Sequence, residues 1–134
     1  MRFGPSGNSD RFYDEGYKDT VQAFPWIERM GLDAFEYPFG RGVSLSESTA
    51  VKIAAAASEK GVAISAHAPY FINFANPDPE KRENSCRYVM DAARAVRLLG
   101  GHRVVVHVGA VLKLERRQAL QNCRDGLTEV RKRL

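Results

Sequence analysis

Val62-Ala63-Ile64-Ser65-Ala66-His67 is a short apolar run that ends on a histidine and continues as Ala68-Pro69-Tyr70-Phe71-Ile72-Asn73. A second run, Arg103-Val104-Val105-Val106-His107, ends the same way and passes into Val108-Gly109-Ala110. Between them lies a long amphipathic segment. It opens at Asp78-Pro79-Glu80, an N-cap residue with proline and an acid in the first turn, and stops at Gly100-Gly101. Two β-branched or apolar runs joined by one helix read as parallel strands of a βαβ unit. Proteins built this way carry their chemistry at the C-terminal ends of the strands, where both histidines stand.

Working outward, the same reading lays down four consecutive βα units. The first has a strand over Arg2–Pro5, a loop through Gly16, and a helix over Asp19–Met30 that Pro25 bends or restarts. The second has the strand Ala34-Phe35-Glu36-Tyr37, the loop Pro38–Leu45 and an alanine-rich helix ending at Lys60-Gly61. Ser44-Leu45-Ser46-Glu47 supplies its capping-box pattern. The third joins Val62–Ala66 to a helix over Pro79–Leu99, and the fourth joins Val104–His107 to a helix from Glu115 to Leu134. No sequence repeats between units, so the repetition is architectural. Four such units form an open sheet or half of an eight-stranded barrel, and a whole barrel takes about 250 residues.

At 134 residues the chain is expected to be a single domain, residues 1–134. Its 44% hydrophobic and 27% charged residues are ordinary for a globular protein. No apolar run approaches the roughly 20 residues of a membrane span, and the N-terminus lacks a signal peptide's apolar core, so a cytoplasmic location is expected. The net charge is +4, but Arg131, Lys132 and Arg133 supply +3 of it at the end of a helix, where cations suit the macrodipole. Charge alone therefore argues only weakly for nucleic acid. Cys86 and Cys123 form no Cys-x-x-Cys pair and read as free, half-buried thiols. A dinucleotide-binding Gly-x-Gly-x-x-Gly is absent after the first strand.

His67 and His107 are the leading candidates for chemistry. Adjacent parallel strands lie about 4.8 Å apart, so imidazoles at neighbouring ends can reach one ion at zinc–nitrogen distances near about 2.1 Å. A single histidine is more often just a satisfied residue; two on successive strands weaken that alternative. His102 precedes its strand, at the opposite end of the sheet, and reads as structural. Glu36, near the end of the second strand, can be a ligand, an imidazole's partner, or a hydrogen-bonded charge inside the barrel. Asn73 is, with Glu36, a candidate to support a ligand. Tyr70 and Phe71 read as ring faces for a sugar or base, whereas Ile72 and Phe74 pack beneath the loop. Arg41, mounted between Gly40 and Gly42, can approach a phosphate closely or stay a solvated surface charge.

The segments His67-Ala68-Pro69-Tyr70-Phe71-Ile72-Asn73 and Val105-Val106-His107-Val108-Gly109 resemble the third and fourth strand ends of the endonuclease IV family. Gly31-Leu32-Asp33-Ala34-Phe35-Glu36-Tyr37 and Gly40-Arg41-Gly42-Val43 are similar to the second unit of its bacterial and archaeal members. The resemblance runs through nearly the whole chain. It implies an α/β fold corresponding to the N-terminal half of a (βα)8 barrel, and an apurinic/apyrimidinic endonuclease that incises DNA 5′ to abasic sites with a three-zinc cluster. His67 and His107 would then be two ligands of one zinc. Tyr70 and Phe71 would enter the duplex at the abasic nucleotide, and Arg41 would probe the DNA.

Two departures limit this. The remaining zinc ligands, including the bridging glutamate, come from later strands that have no counterpart here, and Pro5-Ser6 stands where the family often has a histidine at the end of its first strand. The resemblance therefore implies little nuclease activity for this half alone. Its uncovered strand edges favour a homodimer. A sugar isomerase or epimerase of the same barrel type, using one divalent metal with Glu36 near the substrate, is the enzyme alternative. A non-catalytic half-barrel that oligomerises or binds DNA is the other.

Overall fold

A computed structural model describes residues 1–134. Three strands, β1 (Ala34–Pro38), β2 (Ala63–His67) and β3 (Val104–Val105), form a parallel sheet in the order β1-β2-β3. Five helices accompany them: α1 (Asp10–Asp14), α2 (Ala23–Arg29), α3 (Glu47–Glu59), α4 (Pro79–Leu98) and α5 (Arg116–Arg133). The α/β class and the half-barrel order of units are as expected. No helix is long and apolar enough to cross a membrane.

The period-2 alternation of the strands divides the sheet's two faces. Phe35, Ile64 and Ala66 are buried and join the core with Phe24, Ile27, Ile53, Val89 and Val96 from α2, α3 and α4. The opposite face carries Glu36, Ser65 and His67, each only partly buried, and Val105 and His107, both exposed. In a closed barrel this face would be the interior.

The first unit departs from expectation. Arg2–Pro5 does not form a full strand; it runs beside β1 and makes one bridge, Ser6 to Glu36. The Phe3 carbonyl accepts from Asp33 N and Ala34 N (3.0 and 3.1 Å), Pro5 O accepts from Glu36 N (3.0 Å), and Gly7 N donates to Glu36 O (2.9 Å). Pro5 has no N–H to complete the ladder, which is why the pairing is parallel in course but broken. Gly4 allows the approach: a Cβ there would lie 1.6 Å from the Ala34 carbonyl oxygen. The expected loop to Gly16 contains α1, capped by the Ser9 side chain. The expected helix from Asp19 is instead a 3₁₀ turn, Thr20–Gln22, closed by an Asp19–Gln22 capping box, followed by α2. Pro25 falls in the first turn of α2, where its missing N–H costs nothing.

Elsewhere the differences are small. Ser46, not Ser44, caps α3, its side chain accepting from Thr49 N. α4 begins at Pro79 under the Asp78 cap, as its sequence dictates. β3 is only two residues long, so His107 lies beyond the ladder. Its last rung is Ala68 N to Val105 O (2.9 Å); β2 then turns away at Pro69, which has no N–H to donate. α5 packs on α4 through the buried Val130, and Arg133 near its end bonds to Glu83 of α4.

Candidate metal-ligand pair and loop surface

Glu36, on β1, and His67, on β2, project from the open face, with Ser6 beside them on the N-terminal segment. Register sets Ser6 level with Glu36 and Glu36 level with Ser65, so His67 stands one pleat further along the same face. The Glu36 carboxylate spans that step. Its Oε1 lies 3.0 Å from His67 Nδ1 and accepts a hydrogen bond from Ser6 Oγ at 2.7 Å. Both side chains are about a quarter exposed, 28% for His67 and 23% for Glu36. Of the roles open to Glu36 in the sequence, the geometry selects imidazole partner.

His67 pairs in register with Val105, so His107 is two residues further along its strand than a level partner would be. The rings still converge, with centroids 5.0 Å apart and planes inclined by 30°. Neighbouring barrel strands are staggered in this way, and side chains at different levels meet at the mouth. His102 is exposed and precedes β3, at the other end of the sheet, as expected.

Asn73 does not support a ligand directly. Its Oδ1 accepts from the Ala75 backbone N–H (2.9 Å) and from that of Ala110 (3.2 Å), across 37 residues of chain. It thus ties the loop after β2 to the loop after β3, three residues beyond His107. Phe74 N to Val108 O (2.9 Å) adds a second tie. Gly109 makes the approach possible, with φ +131° and no Cβ to meet Asn73 Oδ1.

The aromatic loop divides as its sequence suggests. Ile72 and Phe74 are 2% and 0% exposed, whereas Tyr70 is 71% and Phe71 43% exposed. Phe71 stands edge-on to both Tyr70 and Tyr88, with centroids 5.6 and 4.8 Å away. Arg41 is exposed in the loop after β1. That loop is tied to the site where Phe39 N donates to His67 O at 2.9 Å. The structure thus brings Glu36, His67 and His107 together with Ser6, whose side chain the sequence does not single out. The signal was available: Ser6 ends the first extended segment at the level of Glu36 in the second.

A metal ion fits these residues only in part. His67 and His107 are two nitrogen donors on converging rings, but Glu36 is committed to His67 Nδ1. No group of three or more His, Cys, Asp or Glu side chains converges as a metal-binding set. The cysteines do not substitute: both are free, and burial pushes both thiols up, away from the thiolate a metal needs. Catalytic zinc sites use three protein ligands, so the pair is a partial ligand set.

A family model described as a xylose isomerase-like TIM barrel matches residues 24–133. Among curated proteins, a probable endonuclease 4 of Acholeplasma laidlawii is 33% identical over 75 residues, 54% of this chain and 26% of that protein. An uncharacterized protein of Methanocaldococcus jannaschii is 32% identical over 96 residues, 72% of this chain and 34% of that protein. The chain thus spans about a quarter to a third of these curated relatives. Among solved structures, endonuclease IV from Thermus thermophilus superposes with a TM-score of 0.66 at 22% identity, over 97% of this chain and 47% of that one. D-Psicose 3-epimerase from Clostridium cellulolyticum reaches 0.72 at 16% identity, over 87% and 43%. At these identities the superpositions establish the fold, and about half of each barrel corresponds to this chain.

Proposed function

The chain belongs to the xylose isomerase-like TIM barrel family, and from that premise we propose that it is the N-terminal half-barrel of an endonuclease IV-type phosphodiester hydrolase. The observation that carries this reading is the convergence of His67 and His107 at the mouth, with Glu36 on the far nitrogen of His67. His67 and His107 would supply two of the ligands of one zinc ion. Bound there, the ion would polarise a phosphodiester as a Lewis acid. Tyr70 and Phe71 offer ring faces to a duplex distorted at an abasic site, and Arg41 meets a phosphate. Residues 1–134 act as one folding unit. Alone, they bind duplex DNA without cutting it and pair with a second copy through the open β3 edge.

DNA is favoured by sequence: several matched curated proteins are named as probable endonuclease 4, at 33–40% identity over parts of the chain. The epimerase reading is kept because an epimerase superposes with the higher TM-score, 0.72 against 0.66. Side-by-side assays of the native gene product separate the two: incision of a duplex carrying one abasic site, and epimerisation of free ketohexoses. Incision abolished by His67→Ala and by His107→Ala supports the nuclease. Epimerisation without incision overturns it.

A further inference from the structure

Two donors meet on a single carboxylate oxygen. Ser6 Oγ lies 2.7 Å and His67 Nδ1 3.0 Å from the same Glu36 Oε1. An ionised carboxylate only accepts, so the hydrogen between Glu36 and the ring belongs to Nδ1. That leaves Nε2 with its lone pair free. His107 makes no hydrogen bond through its side chain, and neither does His102, so nothing in the fold selects a tautomer for either. The asymmetry is therefore local to the Ser6–Glu36–His67 array.

We infer that Ser6 and Glu36 are positioning residues that hold His67 as its Nδ1–H tautomer, presenting Nε2 to a divalent cation at the barrel mouth. The backbone serves this arrangement. The bridge between Ser6 and Glu36 puts the hydroxyl directly opposite the carboxylate, and the rung from Gly7 N to Glu36 O fixes that register. Without a Cβ at Gly4, the N-terminal segment lies close enough for the hydroxyl to reach. Ser6 and the imidazole thus share one oxygen, which can accept two hydrogen bonds. The hydroxyl thereby keeps the carboxylate from turning toward solvent, and the carboxylate keeps the ring from flipping. A histidine ligand whose other nitrogen donates to a carboxylate is oriented and made more basic at the metal-facing nitrogen.

The tautomer assignment stands on hydrogen bonds alone; its consequence for a cation rests on the reading above. Long-range ¹H–¹⁵N correlation spectra of the apo chain, at a pH where imidazole is neutral, read the tautomer directly, with His102 and His107 as internal references. His67 is expected as Nδ1–H. Glu36→Ala is expected to release it to the pattern of the other two histidines, whereas Glu36→Gln, whose carboxamide oxygen still accepts, retains it. Ser6→Ala is expected to give a mixture. Zinc titration of the same proteins should show about a 10–100-fold loss of affinity in Glu36→Ala, and a smaller loss in Glu36→Gln.

An Nε2–H tautomer in the unsubstituted chain, or one unchanged by Glu36→Ala, overturns the inference. A tautomer shift with unchanged zinc affinity also overturns the positioning role, yet leaves the metal reading standing. If the unsubstituted chain takes up no zinc at all, two imidazoles do not suffice and the cation-presenting part of the inference is overturned for this chain, while the spectra still decide the tautomer. Unaltered backbone amide dispersion shows that each variant remains folded.

Discussion

Replacing Asn73 with alanine tests how the two loops of the candidate site are held. The side-chain oxygen accepts two backbone N–H groups, at 2.9 Å from Ala75 and 3.2 Å from Ala110. Ala75 is 2% exposed, so its N–H would be left without a partner and largely without water. An orphaned buried donor costs about 1–3 kcal/mol. Ala110 is exposed, so water replaces its lost bond and the net cost there is about 0.5–1 kcal/mol. Together Asn73→Ala should lower stability by about 1.5–4 kcal/mol, a large share of the about 5–15 kcal/mol typical of a domain. Asn73→Asp keeps the accepting oxygen and should stay within about 1 kcal/mol of the original. Urea denaturation measures both, and the His107 resonance reports whether the loop after β3 has moved. A loss below about 0.5 kcal/mol in Asn73→Ala would refute the reasoning, and so would an aspartate variant as unstable as the alanine one.

Four further outcomes are expected. Gly109→Ala would place a methyl 2.0 Å from Asn73 Oδ1 on a backbone with φ +131°. It should cost about 2–3 kcal/mol by denaturation, and removing the Asn73 side chain as well should recover only part of this. Phe74→Ala empties a fully buried site beneath the same loop and should cost about 3–5 kcal/mol, read the same way. Replacing Tyr70 and Phe71 together with alanine should change stability little but weaken duplex binding by about 1–3 kcal/mol for each stacked base, measured by fluorescence anisotropy; unchanged binding removes the loop from the interface. The last outcome concerns pH. The Arg133 guanidinium bonded to Glu83 holds that carboxyl below its ordinary value of 4.5. Because the folded value is the depressed one, the clasp of α5 on α4 is complete above about pH 4.5 and weakens as pH falls through the folded value. Arg133→Met should remove that part of the acid dependence in pH-resolved thermal melts.

Much of the architecture was legible because its signals are local. Asp78-Pro79 starts α4 and Gly100 follows its end; apolar runs mark β2 and β3; glycines follow α2 and α3. Each depends on neighbours a few residues away, and there propensity and capping suffice. The first unit was less legible for the same reason. Its broken strand beside β1 and its split helix depend on Pro5, Gly4 and an Asp19–Gln22 box, whose effect is settled by packing against β1 and α3.

For the site, the sequence by itself determined which residue types stand at which strand ends. Two histidines end successive strands and mark the mouth, and Glu36 stands near the end of the strand before them. Only the tertiary structure decided their partners. Ser6 reaches Glu36 across 30 residues, Glu36 reaches His67 across 31, and Asn73 reaches Ala110 across 37. Those contacts follow from strand register and stagger, which are set when separate βα units pack together on one core. No local pattern encodes a register, because a shift of two residues keeps every side chain on the same face and changes only whom it meets.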